Sequence, residues 1–168
     1  TYPAGPIRLL VPATAGSDLD AIARALAEKL ADNVHWSVVI DNDAAANGNH
    51  SLQSVAKAAP DGYTLALGTT ANLAINPALD KKLAVDPQVD LFPISQVTSQ
   101  ALLLVVPGDA KIVTVKDLIA AASARPGTLR MGSAGKGTMS QLAGELLQDR
   151  AGVRFKPAAA KDVATALQ

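Results

Sequence analysis

The chain has 168 residues, 49% of them apolar, with 3% aromatic residues, no cysteine, and fifteen basic residues balancing fifteen acidic ones. The balanced charge argues against a nucleic-acid binder, which would carry a basic face, and against docking on an anionic membrane surface. The absence of cysteine excludes a disulfide framework, a cysteine-based zinc site and a thiol nucleophile. No apolar run reaches transmembrane length, so direct membrane insertion is not expected.

The first predicted strand is Ile7 to Val11, ended by Pro12. A loop of small residues, Ala13 to Gly16, leads to a helix with Ser17 as N-cap and Asp20 at the spacing of a capping box. Its apolar face is Leu19, Ile22, Ala23, Leu26 and Leu30, at helical spacing. The second strand is Val38 to Ile40, followed by an Asn-, Ala- and Gly-rich loop, Asn42 to Asn49, and a short helix facing Leu52, Val55 and Ala56 inward. Pro60-Asp61-Gly62 is a turn into a third strand, Tyr63 to Leu67, and a polar loop runs from Gly68 to Pro77.

Residues 78 to 96 read as irregular, and Leu102 to Val106 as a buried strand broken by Pro107-Gly108. Thr114 caps a further helix with Asp117 completing its box, and Pro126-Gly127 is the next turn. A strand at Leu129 to Met131 opens the loop Gly132 to Thr138, and the helix after it is expected to bury Met139, Leu142, Ala143, Leu146 and Leu147. Gly152 is placed as its C-terminal stop. A strand at Val153 to Phe155 and a helix beginning over Asp162 to Leu167 complete the pattern. The alternation predicts an α/β fold with mostly parallel strands flanked by helices, and residues 97 to 108 read as a crossing point between two such units.

In parallel sheets, ligands bind beyond the C-terminal strand ends. Four loops leave such ends: Pro12–Ser17, Asn42–Asn49, Gly68–Asn76 and Gly132–Thr138. Their small residues let backbone N–H groups approach a ligand, and free N–H groups with the helix dipole favour an anion. The hydroxyls of Thr14, Ser17, Thr69, Thr70, Ser133 and Thr138 add hydrogen-bonding capacity. The same loops, with their caps, also occur in α/β proteins as plain structure.

Enzyme motifs are missing. Lys136 is followed by Gly137, so Gly132–Thr138 is no phosphate loop, and neither a dinucleotide fingerprint nor a nucleophile elbow is present. His35 and His50 stand far apart without a metal-ligand motif, and Asp20 reads as a capping carboxylate. No cofactor is expected.

The run Val11-Pro12-Ala13-Thr14-Ala15-Gly16-Ser17-Asp18-Leu19-Asp20, with Arg24 after it, resembles the first-strand motif of the tripartite tricarboxylate transporter solute receptors, also called the Bug family. Asn42 to Asn49 is similar to their Gly-rich second loop, and Ala59-Pro60-Asp61-Gly62-Tyr63-Thr64-Leu65 to a hallmark segment. Ile75-Asn76-Pro77, Asp86-Pro87 and Phe92-Pro93-Ile94 follow in the expected order. Ser133-Ala134-Gly135-Lys136-Gly137-Thr138, then Leu142-Ala143-Gly144-Glu145, matches the second-domain motif.

The resemblance implies a periplasmic-binding-protein-like fold, a type II clamshell. Residues 1–104 would form the first lobe and 105–168 the start of a second, with the C-terminal part missing. It implies a periplasmic protein whose signal peptide has been removed, and Thr1-Tyr2-Pro3 fits a mature N-terminus. A small carboxylate, a dicarboxylate or amino acid, would be held between the domains and delivered to membrane transporter subunits. Some members act instead as sensors, so a sensor or protein-interaction module with weak or no small-molecule binding is the alternative. The ligand-binding residues would be Ala13, Thr14, Ala15, Gly16, Ser17 and Asp18, then Thr69, Thr70 and Asn72, then Ser133, Ala134, Gly135, Gly137 and Thr138, with ordered water bridging one carboxylate.

The sequence departs from the family at Ala13, at Ser17 and in Ala45-Ala46-Asn47. Asp18 adds a negative charge beside the first loop, which would oppose a carboxylate or attract an ammonium on the same ligand. Family members are nearly twice this long. A fragment ending here would leave strand edges and apolar surface uncovered and prone to self-association.

Overall fold

The structure, a computed structural model, describes residues 1–160, and the expected helix over Asp162–Leu167 lies outside the described residues. The chain divides into two compact units, Thr1–Ile94 and Ser95–Gln168.

The first unit is built on strand β1 (Ile7–Val11), which pairs in parallel with β2 (Val38–Asn42) on one side and β3 (Thr64–Ala66) on the other, in the order β2-β1-β3. The central position explains its apolar run: Ile7, Leu9, Leu10 and Val11 are all buried. The exception, Arg8, turns out to solvent and donates through Nε to Asp41 Oδ2 at 2.8 Å. Helix α1 (Asp18–Val34) begins at Ser17 and stops at His35, which takes the left-handed conformation at φ 58°. That places one of the two histidines in a structural role. Ala23 is fully buried, and its small side chain lets α1 sit close on Leu9, Val11 and Leu67, with Leu19 and Leu26 packed around them.

A 3-10 turn (Ala45–Gly48) leads into α2 (Asn49–Ala56), which buries Leu52 and Ser51. The segment after β3 departs from the polar loop expected there. Ala71–Ile75 is a π-helical turn that continues into a short helix α3, Asn76–Leu79. Asn72 starts it: its Oδ1 accepts from Thr69 N at 2.7 Å, and its own N–H donates to Thr69 Oγ1 at 3.3 Å. Pro77 falls in the first turn, where its missing N–H costs nothing.

The second unit holds α4 (Val115–Ala124), β4 (Arg130–Ser133), α5 (Met139–Ala151) and β5 (Lys156–Ala159), with β4 and β5 parallel. Its core is Leu118, Ala122, Val153 and Phe155. Three expectations are corrected here. Leu102–Val106 is not a buried strand: it has no ladder partner among the described residues, and each of its five side chains is exposed. The strand expected at Val153–Phe155 lies at Lys156–Ala159 instead, because the earlier N–H groups are taken. Val153 N donates to Gln148 O and Phe155 N to Gln148 Oε1, at 3.1 and 2.8 Å. The ladder starts when Lys156 N reaches Leu129 O.

The third correction concerns α5. Met139, Leu142, Ala143 and Leu146 are exposed, and Gly144 and Gln148 are the buried positions. Only Leu147 of the expected face packs on the core. The helix lies on β4 through Gly144, where a Cβ would stand 2.6 Å from Met131 Sδ. Close approach at glycine rotates the apolar stripe away from the strands. Gly152 ends the helix in the left-handed conformation, as expected.

Candidate functional site

Parallel pairing sends the ends of β1, β2 and β3 to one edge of the first unit. The loops that follow are joined there by side chains. Asn42, the last residue of β2, donates from Nδ2 to Ala13 O at 3.1 Å and to Asp20 Oδ1 at 3.0 Å. Asp43 N donates to Val11 O. Gly48 is pressed against the first and third loops: a Cβ would meet Pro12 Cβ at 2.5 Å and Asn72 Nδ2 at 3.2 Å. Asn72 is buried, and its Nδ2 has no partner among the described residues.

Asp20 is the centre of this arrangement. Its side chain is buried, and Oδ2 accepts from Gly16 N at 2.8 Å and from Arg24 Nε at 2.9 Å. The Arg24 guanidinium, then the Gly16 N–H, hold its pKa down at about 2. It is therefore a fixed anion and no proton donor at neutral pH.

The bonds made inside the first loop define what it has left to offer. Ala13 N donates to Val11 O, Ser17 N to Thr14 O and Gly16 N to Asp20. The N–H groups of Thr14 and Ala15, and of Asp18 and Leu19 in the first turn of α1, have no acceptor among the described residues. Thr14, Ala15, Gly16 and Asp18 are exposed and Ser17 is half-buried. Asp18 forms no ion pair among the described residues. In the third loop, Asn72 holds Thr69, and Thr70 stays exposed.

The loop of the second unit is built the same way. Ala134 N donates to Ser140 Oγ at 3.1 Å and Gly137 N to Gln141 Oε1 at 2.8 Å. Thr138 caps α5 and donates to Gly135 O at 2.7 Å. Gly135 and Gly137 have φ of 106° and 78°, a conformation that only glycine takes without strain. The N–H groups of Gly135 and Lys136 have no acceptor among the described residues. A depression of about 170 Å³ adjoins them, lined in part by Ser133, Gly135, Lys136, Ser140, Gln141 and Glu145.

His50 is paired through Nδ1 with Asp43, whose carboxyl is held below its usual range by that ring and then by the Ala45 N–H. Among the described residues, no three His, Asp or Glu side chains gather closely enough to hold a metal, and no helix is long and apolar enough to cross a membrane.

The family model of the tripartite tricarboxylate transporter family receptors matches residues 22–168. The chain belongs to that family. Protein BugT of Bordetella pertussis is 38% identical over 153 residues, covering 90% of this chain and 47% of the relative. A Rhodopseudomonas palustris protein solved with adipate is 31% identical with a TM-score of 0.79, over 99% of this chain and 56% of that one. MatC from the same organism, with bound malate, is 26% identical with a TM-score of 0.79, over 99% and 57%. The chain spans about half the length of the relatives it matches.

Four contributors escaped notice as site residues in the sequence: Asn42, Arg24, Ser140 and Gln141. Arg24 stood in the motif, and Thr138-x-x-Gln141 has capping-box spacing. Nothing in the sequence joined Asn42 to the first loop.

Proposed function

We propose that this receptor-family chain captures a small carboxylate in the periplasm and serves membrane subunits of a tripartite tricarboxylate-type transporter, without catalysing a reaction. The observation that carries the reading is that the strand-end loops of both units keep N–H groups without an acceptor among the described residues, at Thr14 and Ala15 and at Gly135 and Lys136. Such groups bind an anion without a buried cation. Each of the two similar R. palustris proteins holds a dicarboxylate in its structure, which supports the same ligand class here. We assign ligand contacts to Ala13–Asp18, Thr69 and Thr70 in the first unit and to Ser133–Thr138 in the second, with Asn72 acting through Thr69.

Thermal shift and calorimetry against adipate, malate, amino acids and pyridine carboxylates test the proposal. A ligand at one hundred times its Kd stabilises the bound unit by about 2.7 kcal/mol. No response to any member of the panel would sink it. The exposed Asp18 makes the ligand's charge a second question: it would draw an ammonium on the ligand or weaken the hold on a dicarboxylate. Unchanged preferences in Asp18→Asn would refute that part.

The exposed run Leu102–Val106 favours a second reading, a sensor or interaction module whose apolar surface is covered by protein or by self-association. Concentration-dependent mass in sedimentation, with no small-molecule response, would select it.

A further inference from the structure

Three helices of the chain start at a Ser or Thr N-cap whose side chain accepts from the N–H three residues on: α1 at Ser17, α4 at Thr114 and α5 at Thr138. In α4 the third residue completes an ordinary capping box. Asp117 Oδ2 accepts from the N-cap's own N–H, at 2.9 Å from Thr114 N, and at 3.3 Å from Val113 N just before it. In α1 and α5 the third residue bypasses the N-cap's N–H and bonds only the position before it. Asp20 accepts from Gly16 N and Gln141 from Gly137 N, both at 2.8 Å. In both cases the N–H belongs to a left-handed glycine, at φ 81° and 78°. The two displaced boxes follow β1 and β4 and lie in the two loops assigned to the ligand; α4 begins at neither.

From this we infer that Asp20 and Gln141 are matched positioning residues that set the two binding loops, each by tying down a left-handed glycine just before the N-cap. The inference rests on the carboxylate-binding reading above. The consequence is selective. The glycine's N–H is consumed, whereas those of Thr14 and Ala15, or Gly135 and Lys136, one and two residues further upstream, have no acceptor among the described residues.

The two devices differ in charge. Gln141 is neutral. Asp20 is a buried anion, and Arg24 with Asn42 supplies the compensating donors. The loop of the second unit is thus set by a neutral frame and that of the first by a neutralised one.

The test uses amide exchange by NMR and calorimetry with adipate and malate on the whole chain. Gln141→Leu removes the acceptor at a half-exposed position and is the gentle variant; Gln141→Glu restores it. The expected result is loss of Gly137 amide protection in Gln141→Leu, with Gly16 unchanged, and about three- to tenfold weaker probe binding, the worth of one neutral hydrogen bond. In Gln141→Glu protection of Gly137 returns. Asp20→Ala removes the acceptor of Gly16 and exposes its amide in the same way.

Gly137 protection that survives Gln141→Leu overturns the inference. So does unchanged probe affinity once that protection is lost. A wild-type chain that binds neither probe while its glycine amides respond as expected refutes the dicarboxylate form of the binding reading and retains the loop-setting device.

Discussion

Gly48→Ala probes what draws the three loops of the first unit together. Gly48 has φ 81°, so any side chain there costs about 1–2 kcal/mol of left-handed strain. The added Cβ would also lie 2.5 Å from Pro12 Cβ and 3.0 Å from Pro12 O. Neither atom sits on a flexible side chain, so the loops must separate, at about 1–3 kcal/mol for overpacking. The combined loss is about 2–5 kcal/mol. With a urea slope of about 2 kcal/mol per molar, the midpoint falls by about 1–2.5 M. Trp36 is the only tryptophan and stacks edge-on against Tyr2 at 5.6 Å, so its fluorescence follows the first unit alone. Gly16→Ala is the matched control, with the same φ and nothing within 4 Å of the added Cβ. If Gly48→Ala moved the Trp36 transition no further than Gly16→Ala, close packing at Gly48 would not be what joins the loops.

Further outcomes follow from individual groups. Asp20 has a folded pKa of about 2 against an ordinary 3.8, so its contribution to stability is complete above about pH 4 and is lost as the pH falls towards 2. Asp43 and Asp117 are lowered as well and act in the same direction. Asp20→Asn should flatten the dependence of the Trp36 midpoint on pH across that window; an unchanged slope would assign it elsewhere. Thr114→Ala removes the N-cap of α4 and should cost the second unit about 1 kcal/mol, visible by circular dichroism with the Trp36 transition unmoved. Leu118→Ala empties part of the second core and should cost about 2–5 kcal/mol, again without shifting Trp36. A joint shift would show that the two units unfold together.

Local chemistry made much of this molecule legible in advance. The apolar run Ile7–Val11, the caps Ser17 and Thr114, the turn Pro60-Asp61-Gly62 and the stop at Gly152 each act through atoms a few residues away. Strand–helix alternation with small-residue loops was enough to predict parallel sheets with polar loops at the strand ends. Elements that depend on a partner were not legible in the same way. The run Leu102–Val106 has the composition of a central strand, yet a strand exists only where another chain segment completes its ladder. The buried face of α5 was set by the approach of Gly144 to Met131, which helical periodicity does not record.

The loops beyond β1 and β4 show the same division. Their glycines and N-caps were readable as an anion-binding pattern. Which N–H groups the loops consume was decided in three dimensions, by Asp20 and Gln141 as acceptors and by Asn42, which holds Asp20 from a neighbouring strand. Composition and spacing determine which backbone groups a loop has to offer. Only the fold decides which of them its own side chains consume, because the acceptor is near in sequence but its aim is fixed by packing and by distant partners, as Asn42 fixes Asp20 from β2.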